Sequence, residues 1–238
     1  AGIDFIFLTD HAHGNNDTIP RGYKGYYNGV LIEPGTERQG YCTWPLDSVV
    51  IDWSINKDTV VTNIVTNGGI IFYAHSEEKH NWANPYYQGM EIYNIHTDVK
   101  DESMPPLIAK LMVSGIQYRE WAMREIFDEQ IEIMARWDSL NRKRKIVGFA
   151  AVDAHENQNI RARYLQDGRV EWLGPNANPI DTVEETFLNG WMFSTPDENG
   201  WIFKWMTDTY QTSFNNVTNY VVADTLSVSA IANSLKKG

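Results

Sequence analysis

Asp10, His11, Glu37, His75, Asp153 and His155 are residues that hold cations or move protons, and each stands just past an apolar run. Ile3 to Leu8 ends in Thr9-Asp10-His11, and the run from Gly29 through Ile32 leads to Glu37. Gly68 to Ala74 ends in His75, and Val147 to Val152 ends in Asp153-Ala154-His155. Such short apolar runs read as buried strands. Residues i and i+2 of a strand project to the same side, so Asp153 and His155 are expected to emerge together. A hard carboxylate and a neutral imidazole aimed at one point suit a divalent metal. One strand ending this way is an ordinary polar turn. Four in one chain imply parallel strands whose C-terminal ends share a site. His13, His96 and Cys42 are weaker candidates: a loop histidine is more often solvated, and a lone cysteine more often packs. Glu33 lies inside its strand-like stretch, and His80 sits in a polar segment that reads as surface.

In chain order the stretches are Thr9-Asp10-His11, Pro34-Gly35-Thr36-Glu37, Ala74-His75, Glu91-Ile92-Tyr93-Asn94 and Asp153-Ala154-His155. The series resembles the PHP (polymerase and histidinol phosphatase) superfamily of metal-dependent phosphoesterases, from Gly2 to about Glu156. A looser echo follows in Asp208, Tyr210, Ser213-Phe214-Asn215 and Tyr220 to Ala223. The resemblance implies an α/β fold, a distorted (β/α)7 TIM-like barrel with two or three divalent ions (Mn, Fe or Zn) at the strand C-termini. The family's opening His-x-His has no counterpart here, so the expectation is a barrel without its first strand in this chain and a His-x-His upstream of Ala1. Many relatives also carry a histidine shortly after the bridging glutamate; none occurs between Glu37 and His75.

By the same resemblance Glu37 bridges two metals, Asp153 binds the first, His75 the second, and His11 and His155 the third. Asp10 orients a ligand or a water, which makes Asp10, Glu37 and Asp153 the expected catalytic set. Glu91 and Asn94, at the end of another short strand, are candidates either to touch substrate or to support the ligands from behind. Arg161 is a candidate substrate contact, because a guanidinium near a metal site can grip phosphate with a bidentate fork. Water between two cations loses a proton near neutral pH, and the same cations neutralise phosphate oxygens as charge builds. The expected substrate is a small phosphate ester. Two other classes stay open: a metal-dependent hydrolase of carboxylic or carbamic esters, and a non-catalytic binding protein that has lost its metal.

The rest of the 238-residue chain sets the frame. A formal net charge of −11 disfavours a long polyanion, so no nucleic-acid partner is expected. No apolar run is long enough to span a bilayer. A single cysteine excludes an internal disulfide framework and a multi-cysteine zinc site. Neither compartment nor oligomeric state follows from composition. Asn56 to Asn67 fits an amphipathic helix closed by Gly68-Gly69. Gln117 to about Asn141 fits a longer one, with Met123, Phe127, Met134 and Trp137 on one face. Its end, Arg142-Lys143-Arg144-Lys145, reads as cations at a helix C-terminus. Asp181 to Asn189 and Leu226 to Leu235 read as helices, and Asn199-Gly200 as a hairpin turn. The expectation is a single domain, less regular and rich in aromatics from about residue 157.

Overall fold

The computed structural model describes residues 2–11, 16–17, 23–46, 51–95, 97–98, 118, 124, 127–155, 159–174, 177–206 and 209–237. His13, His96, Met123, Glu156 and Asp208 lie outside the described residues. The chain forms two compact units: Ala1–Ala151 together with Val217–Gly238, and Val152–Asn216.

The first unit is built on two long, bent strand runs. β1 (Phe5–Phe7) and β2 (Asp10–His11) follow one another in the first run, as do β5 (Val30–Glu33) and β6 (Thr36–Arg38) in the second. β1 pairs in parallel with β5, and β2 in parallel with β6. The Leu8 N–H donates to the Glu33 carbonyl at 2.9 Å between the two pairings. β4 (Gly25–Tyr27) borders β5, and β3 (Asn16–Asp17) pairs with β8 (Ile51–Asp52). Gly35 allows the bend, because a Cβ there would lie 2.3 Å from the Trp44 indole and 2.4 Å from the Thr43 carbonyl oxygen.

Among the described residues the main sheet runs β11-β10-β9-β7-β6-β2, with β7 at Tyr41–Trp44, β9 at Ile70–Tyr73, β10 at Gly89–Asn94 and β11 at Val147–Ala151. β9, β10 and β11 are mutually parallel. β7 is antiparallel to both β9 and β6. Strands β2, β6, β9, β10 and β11 therefore all point the same way, and their C-terminal ends share one edge of the sheet.

β9 is apolar throughout because both of its faces are covered. Ile71 and Tyr73 pack with Val60, Val61 and Ile64 of helix α1 (Lys57–Thr66) and with Ile133 and Trp137 of helix α2 (Ile131–Asn141). Ile70 and Phe72 point the other way and pack with Ala232 and Leu235 of a terminal helix, Val228–Lys237. α1 matches its sequence expectation: Asn56 Oδ1 accepts from the Asp58 N–H, and Gly69 N–H closes onto the Ile64 carbonyl. The helix expected from Gln117 falls in large part outside the described residues; Arg124 is helical, and α2 begins at Ile131. Residues 127–130 are not helical, because Gln130 Nε2 donates to the Asn94 carbonyl and the Asp128 N–H to Asp98.

In the basic run after α2, Arg144 is a structural clamp. It donates to the Tyr87 carbonyl at 2.8 Å and the Asn84 carbonyl at 3.1 Å, with its guanidinium 4.2 Å from the Tyr87 ring centroid. Arg144→Ala leaves two carbonyls without this partner and removes the ring contact. The expected cost is about 2–3 kcal/mol by urea unfolding; a change within experimental error would show that solvent replaces the clamp.

The second unit is an antiparallel sheet in the order β14-β13-β12-β15, from β12 (Asn159–Tyr164), β13 (Val170–Leu173), β14 (Pro179–Val183) and β15 (Trp201–Met206). Helix α3 (Tyr210–Asn216) follows, which makes the terminal helix α4. Ala162, Val170 and Ile202 form the core, with Trp172, Phe193 and Phe203 against it. The region expected to be less regular holds this sheet, whose β12–β15 and β13–β14 pairings each contain a register shift. The helix expected over Asp181 to Asn189 is not formed: its first residues belong to β14, in register with β13 from Leu173↔Pro179 to Val170↔Val183. Branched Ile180, Thr182 and Val183 suit a pleated surface, and Pro179 is tolerated because β14 is an edge strand. The turn at Asn199-Gly200 is present, with the Gly200 N–H on the Asp197 carbonyl. The strand after it pairs with β12. No helix among the described residues is long and apolar enough to cross a membrane.

Candidate functional site

His75 is the centre of the polar edge of the first unit. It lies two residues past the end of β9 and has φ +50°, in the left-handed region. Histidine enters that region more readily than most residues, at a cost of about 1–3 kcal/mol. Neighbouring polar groups hold it there. The His75 N–H donates to Glu91 Oε2 at 2.6 Å. Its carbonyl accepts from the Glu78 N–H at 2.9 Å and from His80 Nε2 at 2.9 Å. On the ring, Nε2 lies 3.0 Å from Glu37 Oε1 and Nδ1 lies 3.7 Å from Glu77 Oε1. Three carboxyl groups therefore surround one histidine.

Glu37 is presented by β6, where it stands in register with His11 of β2 and with Cys42 of β7. The Glu37 and His75 side chains are 14% and 22% exposed, so the pair is partly open to solvent. Asp10 and His11 are exposed at the end of β2, and Thr36 Oγ1 donates to the Asp10 carbonyl. Cys42 packs in the apolar cluster beneath α4. Glu33 is 1% exposed and pairs with Lys24 Nζ at 3.0 Å.

Glu91 and Asn94, expected either to support the ligands from behind or to touch substrate, are buried, at 3% and 1% exposure. Glu91 Oε2 accepts from Asn94 Nδ2 at 3.2 Å as well as from the His75 backbone, so the two residues brace the His75 turn from behind. Burial pushes the Glu91 carboxyl up to about 8, against the opposing pull of the His75 charge and N–H. His75 is raised to about 11 by Glu37 first and Glu77 next. Glu77 feels burial as its largest influence, which would raise it. Its contact with His75, its backbone and Thr97 together outweigh burial and bring it to about 2.

Asp153 and His155 belong to the second unit. Asp153 repeats the left-handed backbone, with φ +44°. His155 Nδ1 lies 3.0 Å from the Asp153 carbonyl oxygen and 3.1 Å from its Oδ1. A carbonyl can only accept, so Nδ1 is the donor in this contact. The two residues are thus brought together by a turn after β11 ends at Ala151, with Asp153 left-handed, and not by alternation along a strand. Arg161 lies on β12 with its guanidinium 5.2 Å from the Trp201 ring centroid.

Two residues of the first-unit site escaped sequence reasoning. Glu77 looked like one acid in a polar turn, and His80 like a solvated histidine. His80 is instead half-buried, 4.4 Å between ring centroids from Tyr73 and 5.0 Å from Trp82, and burial lowers its pKa. The available signal was the row of aromatics, Tyr73, Trp82 and Tyr87, that bracket it.

Among the described residues no three His, Cys, Asp or Glu side chains group closely enough to hold a metal ion by themselves. Glu37 and His75 form a pair of donors with the right chemistry. Their 3.0 Å separation is that of a hydrogen-bonded pair, a few tenths of an ångström short of the ~3.4 Å between two ligands each ~2.1 Å from one tetrahedral cation. The acid-rich surroundings favour positive charge at that point. No family model matches the chain, and neither a curated protein nor a solved structure matches it.

Proposed function

We propose that the chain is a metal-dependent hydrolase of the PHP type, a phosphoesterase acting on a small phosphate ester, with Glu37 and His75 among the ligands of a divalent cation. The observation that carries this is the convergence of Glu37, Glu77 and Glu91 on His75 at an edge where five strands end in the same direction. Without a cation, the site balances its negative charge with protons held on His75 and Glu91 beyond their ordinary ranges. A divalent ion (Mn, Fe or Zn) supplies the same two positive charges and, when bound, acidifies a water for attack on phosphorus.

The protein groups then have separable tasks. Glu37 and His75 present an oxygen and a nitrogen donor to the cation. Glu77 attracts the proton of neutral His75 to Nδ1 and leaves the Nε2 lone pair facing Glu37. Glu91 and Asn94 hold the backbone turn, and exposed Asp10 and His11 stand at the mouth of the same edge. In this proposal the five co-directional strands, preceded by β1 and β5, are strands of the PHP-type barrel. Every residue given a task here belongs to the first unit.

The experiment is hydrolysis of p-nitrophenyl phosphate and bis-p-nitrophenyl phosphate by protein treated with EDTA and then reloaded with Mn²⁺, Zn²⁺ or Fe²⁺. Turnover is expected to vanish on chelation and to return with metal. Hydrolysis that survives chelation, or cleavage of p-nitrophenyl acetate alone, would exclude the phosphoesterase.

A further inference from the structure

His80 bridges the two segments that carry Glu37 and His75. Its Nε2 lies 2.9 Å from the His75 carbonyl oxygen; since that oxygen only accepts, Nε2 is the donor. Its ring edge rests on Gly40, in the turn of the β6–β7 hairpin three residues after Glu37. A Cβ on Gly40 would lie 2.8 Å from His80 Cε1, and Gly40 has φ +79°, so glycine is required twice over. The same Gly40 presents its carbonyl to the Ala74 N–H at 3.0 Å, one residue before His75. Tyr73 and Trp82 flank the ring and leave it little freedom to turn.

We propose that His80 is a positioning residue: it locks the left-handed His75 backbone against the hairpin that carries Glu37, and so sets the spacing of that donor pair. This role rests on the metal-site proposal for its functional consequence, though not for its geometry. A left-handed histidine is strained, and strain relaxes unless several contacts over-determine it. Glu91 holds the His75 N–H from one side, and His80 holds the carbonyl from the other while pressing on Gly40. Loss of the His80 N–H leaves the His75 carbonyl with the Glu78 N–H but without its tie to the hairpin, so the turn loosens and the imidazole drifts from Glu37. A displacement of this kind costs a metal site affinity while every ligand is still present.

The test compares His80→Phe, which keeps a stacking ring but has no N–H, with His80→Gln, whose amide can place a donor near Nε2. Amide hydrogen exchange in metal-free protein reads the geometry directly. In His80→Phe the Ala74 and Glu78 amides should exchange at least ~10-fold faster, with the Val147 amide, bonded to the Gln88 carbonyl away from the turn, unchanged. His80→Gln should restore most of the protection. Mn²⁺ titration should show affinity lower by ~10- to 100-fold in His80→Phe and close to wild type in His80→Gln. Equal protection of Ala74 and Glu78 in His80→Phe and wild type would overturn the role, as would equal Mn²⁺ affinity in the two. Exchange protection and Mn²⁺ affinity that fall alike in both variants would also overturn it, because ring packing alone would then be responsible. A wild-type protein that binds no Mn²⁺ overturns the metal site, and with it the functional half of this role; the exchange contrast still decides the geometric half.

Discussion

Glu37→Gln should strip the first-unit site of divalent metal and lower phosphoester turnover by at least ~10²-fold. The substitution keeps size and one oxygen but removes the charge. Glu37 Oε1 is 3.0 Å from His75 Nε2 and its side chain is partly open to solvent, so its charge is available to a cation. Glu33→Gln is the control, four residues earlier in the same bent strand run. Glu33 is 1% exposed and held by Lys24. Its replacement is expected to cost on the order of 1–3 kcal/mol of stability, through the weakened ion pair, and to leave metal content alone. Metal stoichiometry and turnover measured side by side separate the two. Mild and equal effects on metal would remove Glu37 from the site.

Glu91→Gln should stabilise the metal-free protein at alkaline pH. The Glu91 carboxyl is buried and its folded pKa is raised from 4.5 to about 8. The folded state therefore holds a proton that the unfolded state has released across this window. For a raised carboxyl, stability is greatest below about pH 4.5 and falls as pH rises through the window to about 8. Above it the full penalty for a buried charge applies, about 5 kcal/mol at most from a shift of this size. Glutamine keeps an oxygen for the His75 N–H and never ionises. The variant should resemble wild type near pH 4.5 and gain several kcal/mol over it by about pH 9, in urea unfolding with EDTA present. Parallel pH profiles for the two proteins would show that Glu91 stays ionised in the fold. The same substitution tests the brace: with the His75 N–H still satisfied, the turn should survive.

The local chemistry of several elements is written in the sequence. The capped helix α1 is legible from Asn56, its apolar spacing and the two glycines after it. So is the apolar core of β9, because a strand buried on both faces needs an unbroken apolar run; β11 is as apolar but only half-buried. The contact of Asp153 with His155 does not come from the two-residue period of a strand: β11 ends at Ala151 and the left-handed Asp153 makes a turn. His75 and Glu37 are marked by their positions alone, as ligand-type residues that follow apolar runs. Composition does not decide between helix and strand where a short segment has weak periodicity. Residues 179–183 became an edge strand because β13 offered a row of backbone partners, and long-range pairing outweighed a Pro-Asp helix-start signal.

Only the tertiary structure decided what surrounds His75. Glu37, Glu77 and Glu91 meet there because the antiparallel β7 sits between β6 and β9 and returns both strands to one direction. Which face of β10 is dry is set by what packs on it, and that placed Glu91 and Asn94 behind the turn instead of toward solvent. His80 looked solvated for the same reason: a polar segment carries no mark of the ring stack that will receive it. Sequence spacing specifies the direction of a side chain along its own strand. Burial and charge at a point are sums over neighbours distant in sequence, and those sums exist only once the chain has folded.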